Sequence, residues 1–177
     1  MIGGSDEDFR RAEPVLRLVG AHLHHLGPVG AGVTAKLCNN MITGTLHVLI
    51  AEAMVLGAKA GIDSDRLYEV LRTSSARSNT LDRVVPQHFL PRNFTPASAL
   101  TTMIKDLDCI LATGKTLGVQ LSLSETAQQR YIEAADLGHG AKDLSAVILP
   151  METAAGVAVG HAGTQPAKTQ KPLANRK

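Results

Sequence analysis

Gly30-Ala31-Gly32-Val33-Thr34-Ala35-Lys36-Leu37-Cys38-Asn39-Asn40 opens a helical pattern that runs to about Lys59, and its reading decides the fold. The stretch matches G-x-G-x-x-A, the turn in which glycines let a dinucleotide's phosphates approach a helix N-terminus. That fingerprint also requires a hydrophobic strand ahead of it and a second strand ending in an acid about 20 residues on. Here the preceding segment, Ala21-His22-Leu23-His24-His25-Leu26, is rich in histidine, and Glu52 lies within an unbroken helical run. The stretch is therefore the start of a long helix and not a nucleotide-binding turn. Its glycines are expected to let the backbone come close to a neighbouring domain or ligand.

On that helix Lys36 and Asn40 are four residues apart and stand on one face, with Asn39 flanking them. An ammonium beside a carboxamide suits a hydroxy acid. Lysine can move a proton, and asparagine can both donate and accept a hydrogen bond to fix an oxygen. From residue types alone, a solvated first turn is the simpler reading.

Residues 1–4 (Met-Ile-Gly-Gly) read as the end of a strand. Ser5 is placed to cap a helix with Asp6, Glu7 and Asp8 in its first turn, where the helix dipole favours anions. Phe9, Val15, Leu16 and Val19 give that helix an apolar side, Pro14 marks a kink or a late start, and Gly20 stops it. Residues 21–26 read as a strand or extended linker. Two such elements cannot bury a sheet alone, so residues 1–27 are expected to be the trailing edge of an α/β domain.

Beyond the long helix, Asp63 or Ser64 caps a helix that turns Leu67, Val70 and Leu71 inward. Another runs from about Asn79 to His88, and Pro86, Pro91 and Pro96 bracket an irregular connection. A second long helix is expected from about Ser98, its apolar residues Leu100, Met103, Ile104, Leu107, Ile110, Leu111 and Leu117 recurring at three and four until Gly118. Residues 122–137 form a further helix, 138–140 a turn, and Asp143 caps the last helix, which runs to about Ala155. The predicted organisation is an all-helical domain over 28–155 and a disordered tail over 156–177.

Composition supports a helical core and excludes several functions. Hydrophobic residues make up 44% of the 177, yet there are only three Phe, two Tyr and no Trp, so the core must be aliphatic. The net charge is +2, and the tail from Gly156 carries Lys168, Lys171, Arg176 and Lys177 with no acid, which leaves the rest mildly acidic. Such a body offers no electrostatic footprint for nucleic acid and few stacking platforms. Cys38 and Cys109 make no disulfide framework and read as small buried hydrophobes. His22 and His24 would share one strand face, but no cysteine or carboxylate follows at ligand spacing, so no metal site is read there. Glu52 and His47 interrupt the most apolar helix, which reads as a core element and not a membrane span. With no secretory signal at the start, the expected setting is the cytoplasm.

The glycine–lysine–asparagine stretch, Glu52-Ala53-Met54, Lys105-Asp106-Leu107 and Gly138-x-Gly140-x-x-Asp143-x-Ser145-Ala146 occur in that order. Together they resemble the β-hydroxyacid dehydrogenase family, which includes 3-hydroxyisobutyrate, tartronate semialdehyde and L-threonate type enzymes. The resemblance runs from Met1 to about Thr153. It implies the all-helical C-terminal domain of the 6-phosphogluconate dehydrogenase C-terminal-like type, preceded by a Rossmann domain of which 1–27 is a short remnant. It implies NAD or NADP as cofactor, a small hydroxy-acid substrate and a homo-oligomer joined through helices. By the same resemblance Lys36 is the catalytic acid/base, Asn40 and Gly32 bind substrate, and Lys105 lies near the cofactor. Many relatives carry an aromatic residue where this chain has Ser98, which leans towards the sugar-acid branch. The alternative is a non-catalytic helical assembly module, because the Met41–Lys59 stretch is apolar on more than one face.

Overall fold

A computed structural model describes residues 1–161. These residues form an all-helical bundle, with no β-structure among them beyond two isolated bridges. Seven α-helices follow in order: α1 Asp6–Val19, α2 Ala31–Lys59, α3 Ser64–Thr73, α4 Asn79–Val84, α5 Leu100–Leu117, α6 Ser122–Ala134 and α7 Ile148–Ala155. α4 runs on into a π-helical turn at Val85–Phe89 and α6 into another at Ala135–His139, while a 3-10 turn at Leu144–Val147 leads into α7.

α2 is the post of the bundle, and α3, α4, α5, α6 and α7 all pack on it. It is long and apolar enough to cross a membrane by length and composition, but Val48, Ile50, Ala51, Met54, Val55 and Ala58 are buried in the shared core. They meet Leu81, Val84 and Phe89 from the α4 region, Leu100, Met103, Leu107 and Ile110 from α5, and Ala127 and Tyr131 from α6. Two close approaches set the distances. A Cβ on Gly44 would lie 2.7 Å from Met103 Sδ, so a side chain there would displace Met103 of α5 from its seat on α2. The Gly44 carbonyl also accepts a 2.9 Å hydrogen bond from the fully buried Tyr131 hydroxyl, which ties α6 to the same point. Burial holds that phenol protonated by pushing its pKa up.

The N-terminal segment follows its expected elements. Ser5 caps α1 by accepting from the Asp8 N–H at 3.1 Å. α1 runs straight through Pro14, which neither starts nor ends it. Ile2 bridges His25 in parallel register, with Ile2 N–H donating to His24 O at 2.8 Å and Leu26 N–H to Ile2 O at 2.9 Å. A parallel pair needs a crossover, and α1 supplies it. His25 is held structurally, stacked on Phe9 and hydrogen-bonded to Gly4 O at 2.9 Å.

Two boundaries differ from expectation. The two predicted helices at 79–88 and 122–137 exist, but each ends in a π turn. Leu90 N–H reaches back five residues to Val85 O at 2.9 Å, around Pro86, which has no N–H to give. The predicted disordered tail also begins too early. Residues 156–161 fold back onto the bundle, and Val159 is fully buried. The cause is Glu152, itself buried, which accepts the Val159 N–H and forms a two-pronged ion pair with Arg92 at 2.8 and 3.0 Å. Arg92 also donates to Val159 O at 2.7 Å and sits at φ 55°, an uncommon conformation for a residue with a side chain. The remainder of the predicted tail, 162–177, lies outside the described residues. Cys38 and Cys109, expected to be buried, are exposed on the outer faces of α2 and α5.

Arg92→Met should lower unfolding free energy by roughly 3 kcal/mol, because it strands a buried carboxylate. Urea denaturation of the full chain checks this, and a loss within about 0.5 kcal/mol would mean that Glu152 finds water instead.

Candidate active-site cleft

α2 begins at Ala31 after Gly30, whose φ of 97° supplies the left-handed turn into the helix. Gly32 is buried because the chain start crosses directly over it. A Cβ there would lie 2.9 Å from Gly3 N, Ile2 C and Met1 O. The predicted close approach therefore exists, and the backbone that approaches Gly32 is that of residues 1–3. One turn later Lys36 is exposed, and it makes no hydrogen bond or ion pair among the described residues. Asn40 follows on the same face, partly buried.

Asn40 is fixed across the helix interface. Its Nδ2 donates to Asp106 Oδ2 at 2.7 Å, a charge-assisted bond between α2 and α5. Its Oδ1 accepts from Asn39 Nδ2 at 3.3 Å. Asp106 directly follows Lys105, which is exposed on α5. The bond places Asn40 against Asp106 at the α2–α5 seam, with Lys36 one turn before Asn40 on α2 and Lys105 next to Asp106 in sequence on α5. Asp106 belongs to the Lys105-Asp106-Leu107 motif, and residue type alone assigns it no role. A carboxylate beside a predicted lysine was the available signal.

Asn39 leads from this seam into a cavity of about 670 Å3 between α2, α4 and the 97–98 and 143–144 segments. Its walls include His47, Ser78, Arg83, His88 and Ser98. Asp143 organises the far wall. Its buried carboxylate accepts from Ser145 N–H at 3.0 Å and Ala97 N–H at 3.1 Å, and His88 Nδ1 stands 3.9 Å away. Burial alone would raise the Asp143 pKa, but the Ser145 and Ala97 hydrogen bonds and the nearby His88 outweigh it and hold the carboxyl below its ordinary range. His47 shows the reverse balance. Burial lowers its pKa despite the Thr43 carbonyl, which lies 2.8 Å from Nδ1. That carbonyl can only accept, so the neutral ring carries its proton on Nδ1 and leaves Nε2 as an acceptor. Among the described residues no group of three or more His, Cys, Asp or Glu could hold a metal ion.

Residues 30–151 match the family described as NAD-binding of NADP-dependent 3-hydroxyisobutyrate dehydrogenase. The chain belongs to this family. It is 38% identical to an L-threonate dehydrogenase from Cupriavidus necator, over 84% of this chain and 50% of that protein. It is 33% identical to 2-(hydroxymethyl)glutarate dehydrogenase from Eubacterium barkeri, over 90% of this chain and 53% of that protein. Among solved structures it is similar to the 3-hydroxyisobutyrate dehydrogenase of Mycobacterium tuberculosis with L-serine, with a TM-score of 0.78 and 32% identity over 85% of this chain and 54% of that one. The chain spans about half the length of the curated relatives it matches.

The pKa of His47 has a consequence for stability. The unfolded chain takes up this proton near the ordinary value of 6.5, and the folded chain only at lower pH. The contribution is fully present above 6.5 and is lost as pH falls below it. His139, also lowered by burial and by Lys142, acts with the same sign. The urea midpoint should therefore fall between pH 7.5 and 5.5, and less steeply in His47→Gln. Identical slopes for the two proteins would show that His47 does not carry the effect.

Proposed function

We propose that this chain is the helical domain of an NAD(P)-dependent β-hydroxyacid oxidoreductase, of the 6-phosphogluconate dehydrogenase C-terminal-like type, acting on a small 3-hydroxy or sugar acid. The observation that carries the reading is the Asn40–Asp106 hydrogen bond, because it gives a candidate substrate-orienting amide one fixed rotamer beside two exposed lysines. Membership of the family supports it. Residues 1–27 fit the edge of a Rossmann domain. Their single parallel bridge, Ile2 to His25, spans α1 in the order of a strand–helix–strand crossover, and Val15, Leu18 and Val19 of α1 stand 66%, 84% and 83% exposed, as a helix does when another layer belongs over it.

In this reading the nicotinamide, when bound, supplies hydride transfer to or from the carbon that bears the hydroxyl. Lys36 takes the hydroxyl proton at its Nζ during oxidation and returns it during reduction. Asn40 orients the reacting oxygen or the neighbouring carboxylate. Asp106 holds one amide N–H of Asn40, so the other N–H and the oxygen keep a constant direction. Lys105 has no hydrogen bond or ion pair among the described residues and fits the anionic cofactor. Gly32 keeps the helix start close enough to residues 1–3 for the two halves of the cleft to meet.

An assembly role accompanies this one. Ile42, Leu49 and Leu56 are spaced seven apart on α2 and remain 58%, 57% and 72% exposed, a stripe suited to a second copy of the chain. The intact protein is therefore read as a homo-oligomeric enzyme.

Lys36→Met in the intact protein should reduce kcat by about 10^2 or more while leaving the melting temperature unchanged, since the side chain is exposed. Steady-state oxidation of hydroxy acids with NAD and NADP tests this. Near-normal turnover would remove Lys36 from the chemistry.

A further inference from the structure

The turn of α2 that follows Asn40 is built from poor helix formers. Ile42, Thr43, Gly44 and Thr45 stand in a row there, three β-branched residues around a glycine. Such a run is a soft stretch of helix interior, and it lies between Asn40 and the buried face that begins at Val48. The glycine has a packing cause, since a side chain at 44 would run into Met103 of α5. The softness therefore sits where two helices meet most closely.

Two side chains steady this turn at its carbonyls. His47 Nδ1 lies 2.8 Å from Thr43 O, and the Tyr131 hydroxyl donates to Gly44 O at 2.9 Å. They differ in reach. His47 belongs to α2 and moves with it, whereas Tyr131 stands on α6 and is fully buried there. Gly44 O lies inside a continuous helix whose own ladder supplies it with an N–H, so the phenol is an added tie from a third helix. The tie bears on the seam. α2 and α5 run in opposite directions here, since Gly44 meets Met103 while Asn40, one turn earlier on α2, meets Asp106, one turn later on α5. From this we infer that Tyr131 is a positioning residue for Asn40: from α6 it pins the α2 backbone at Gly44 and so fixes the register at which Asn40 meets Asp106. What the pinning does for chemistry rests on the function proposed above, and the pinning itself stands on the three-helix contact.

Tyr131→Phe keeps the ring and removes only the hydroxyl. The first readout is NMR of the full chain, with the Asn40 side-chain amide assigned by its loss in Asn40→Ala. Hydrogen exchange of that amide should quicken at least about fivefold in Tyr131→Phe. Gln128→Ala is the control. It removes another hydrogen bond made by α6, from Gln128 Nε2 to Asp108 Oδ1 at 2.6 Å, and should leave the Asn40 amide as it was. An amide unchanged by Tyr131→Phe, or altered equally by Gln128→Ala, would overturn the inference. The second readout is kcat/KM for hydroxy-acid oxidation in the intact protein. Tyr131→Phe should lower it by about three- to tenfold, chiefly through kcat, and should add no further loss to Asn40→Ala. Additive losses would show that the hydroxyl does not act through Asn40. An intact protein that oxidises no hydroxy acid would sink the proposed function, and amide exchange would still decide the pinning.

Discussion

One helix has two duties, and the structure follows from how they are divided along its length. The C-terminal part of α2 is the post on which five other helices pack, while its first three turns carry the exposed Lys36 and Asn39. Buried aliphatic residues begin at Val48, and the exposed polar face ends near Asn40. Between them Gly44 admits Met103 of α5 and offers its carbonyl to Tyr131 of α6. The notch fixes α5 against α2, and that fixes Asp106 against Asn40. The polar bond at the seam thus depends on an apolar close approach one turn further along. A rigid helix pair carrying the polar groups is more precise than a loop would be.

The helical architecture was legible because its signals are local. Ser5, Asp63, Ser78 and Asp143 each accept a backbone N–H at a helix start, as their residue types imply. The three-four period of Leu100, Met103, Leu107 and Ile110 reports the buried face of α5 directly. The decoy at Gly30–Ala35 was resolved by context, since a continuous helix leaves no room for the second strand of a nucleotide-binding unit. Lys36, Asn40 and Lys105 are candidates on motif order alone, and both lysines are exposed.

What stayed hidden depends on contacts distant in sequence. The Asn40–Asp106 bond joins residues 66 apart, and nothing local tells which carboxylate a carboxamide will meet. Glu152 looked like an ordinary helix residue, yet its pairing with Arg92, 60 residues away, orders the segment through Val159. Composition there is small and polar, so its fixation by one buried carboxylate has no sequence signature. The cavity is likewise a product of packing. Its lining comes from α2, α4 and two turns far apart in sequence. The two π turns were missed because one extra residue in a turn leaves the apolar period nearly unchanged.

The most direct test of this account is a double-mutant cycle on Asn40 and Asp106 in the intact protein, read as kcat/KM in the proposed oxidation of a hydroxy acid. If Asp106 acts by holding Asn40, then Asn40→Ala and Asp106→Ala should each lower kcat/KM, and the double variant should be little worse than Asn40→Ala alone, a coupling of about 1 kcal/mol or more. Strictly additive losses, or an Asp106→Ala enzyme with unchanged kcat/KM, would contradict the claim that the α2–α5 bond sets the geometry of the cleft.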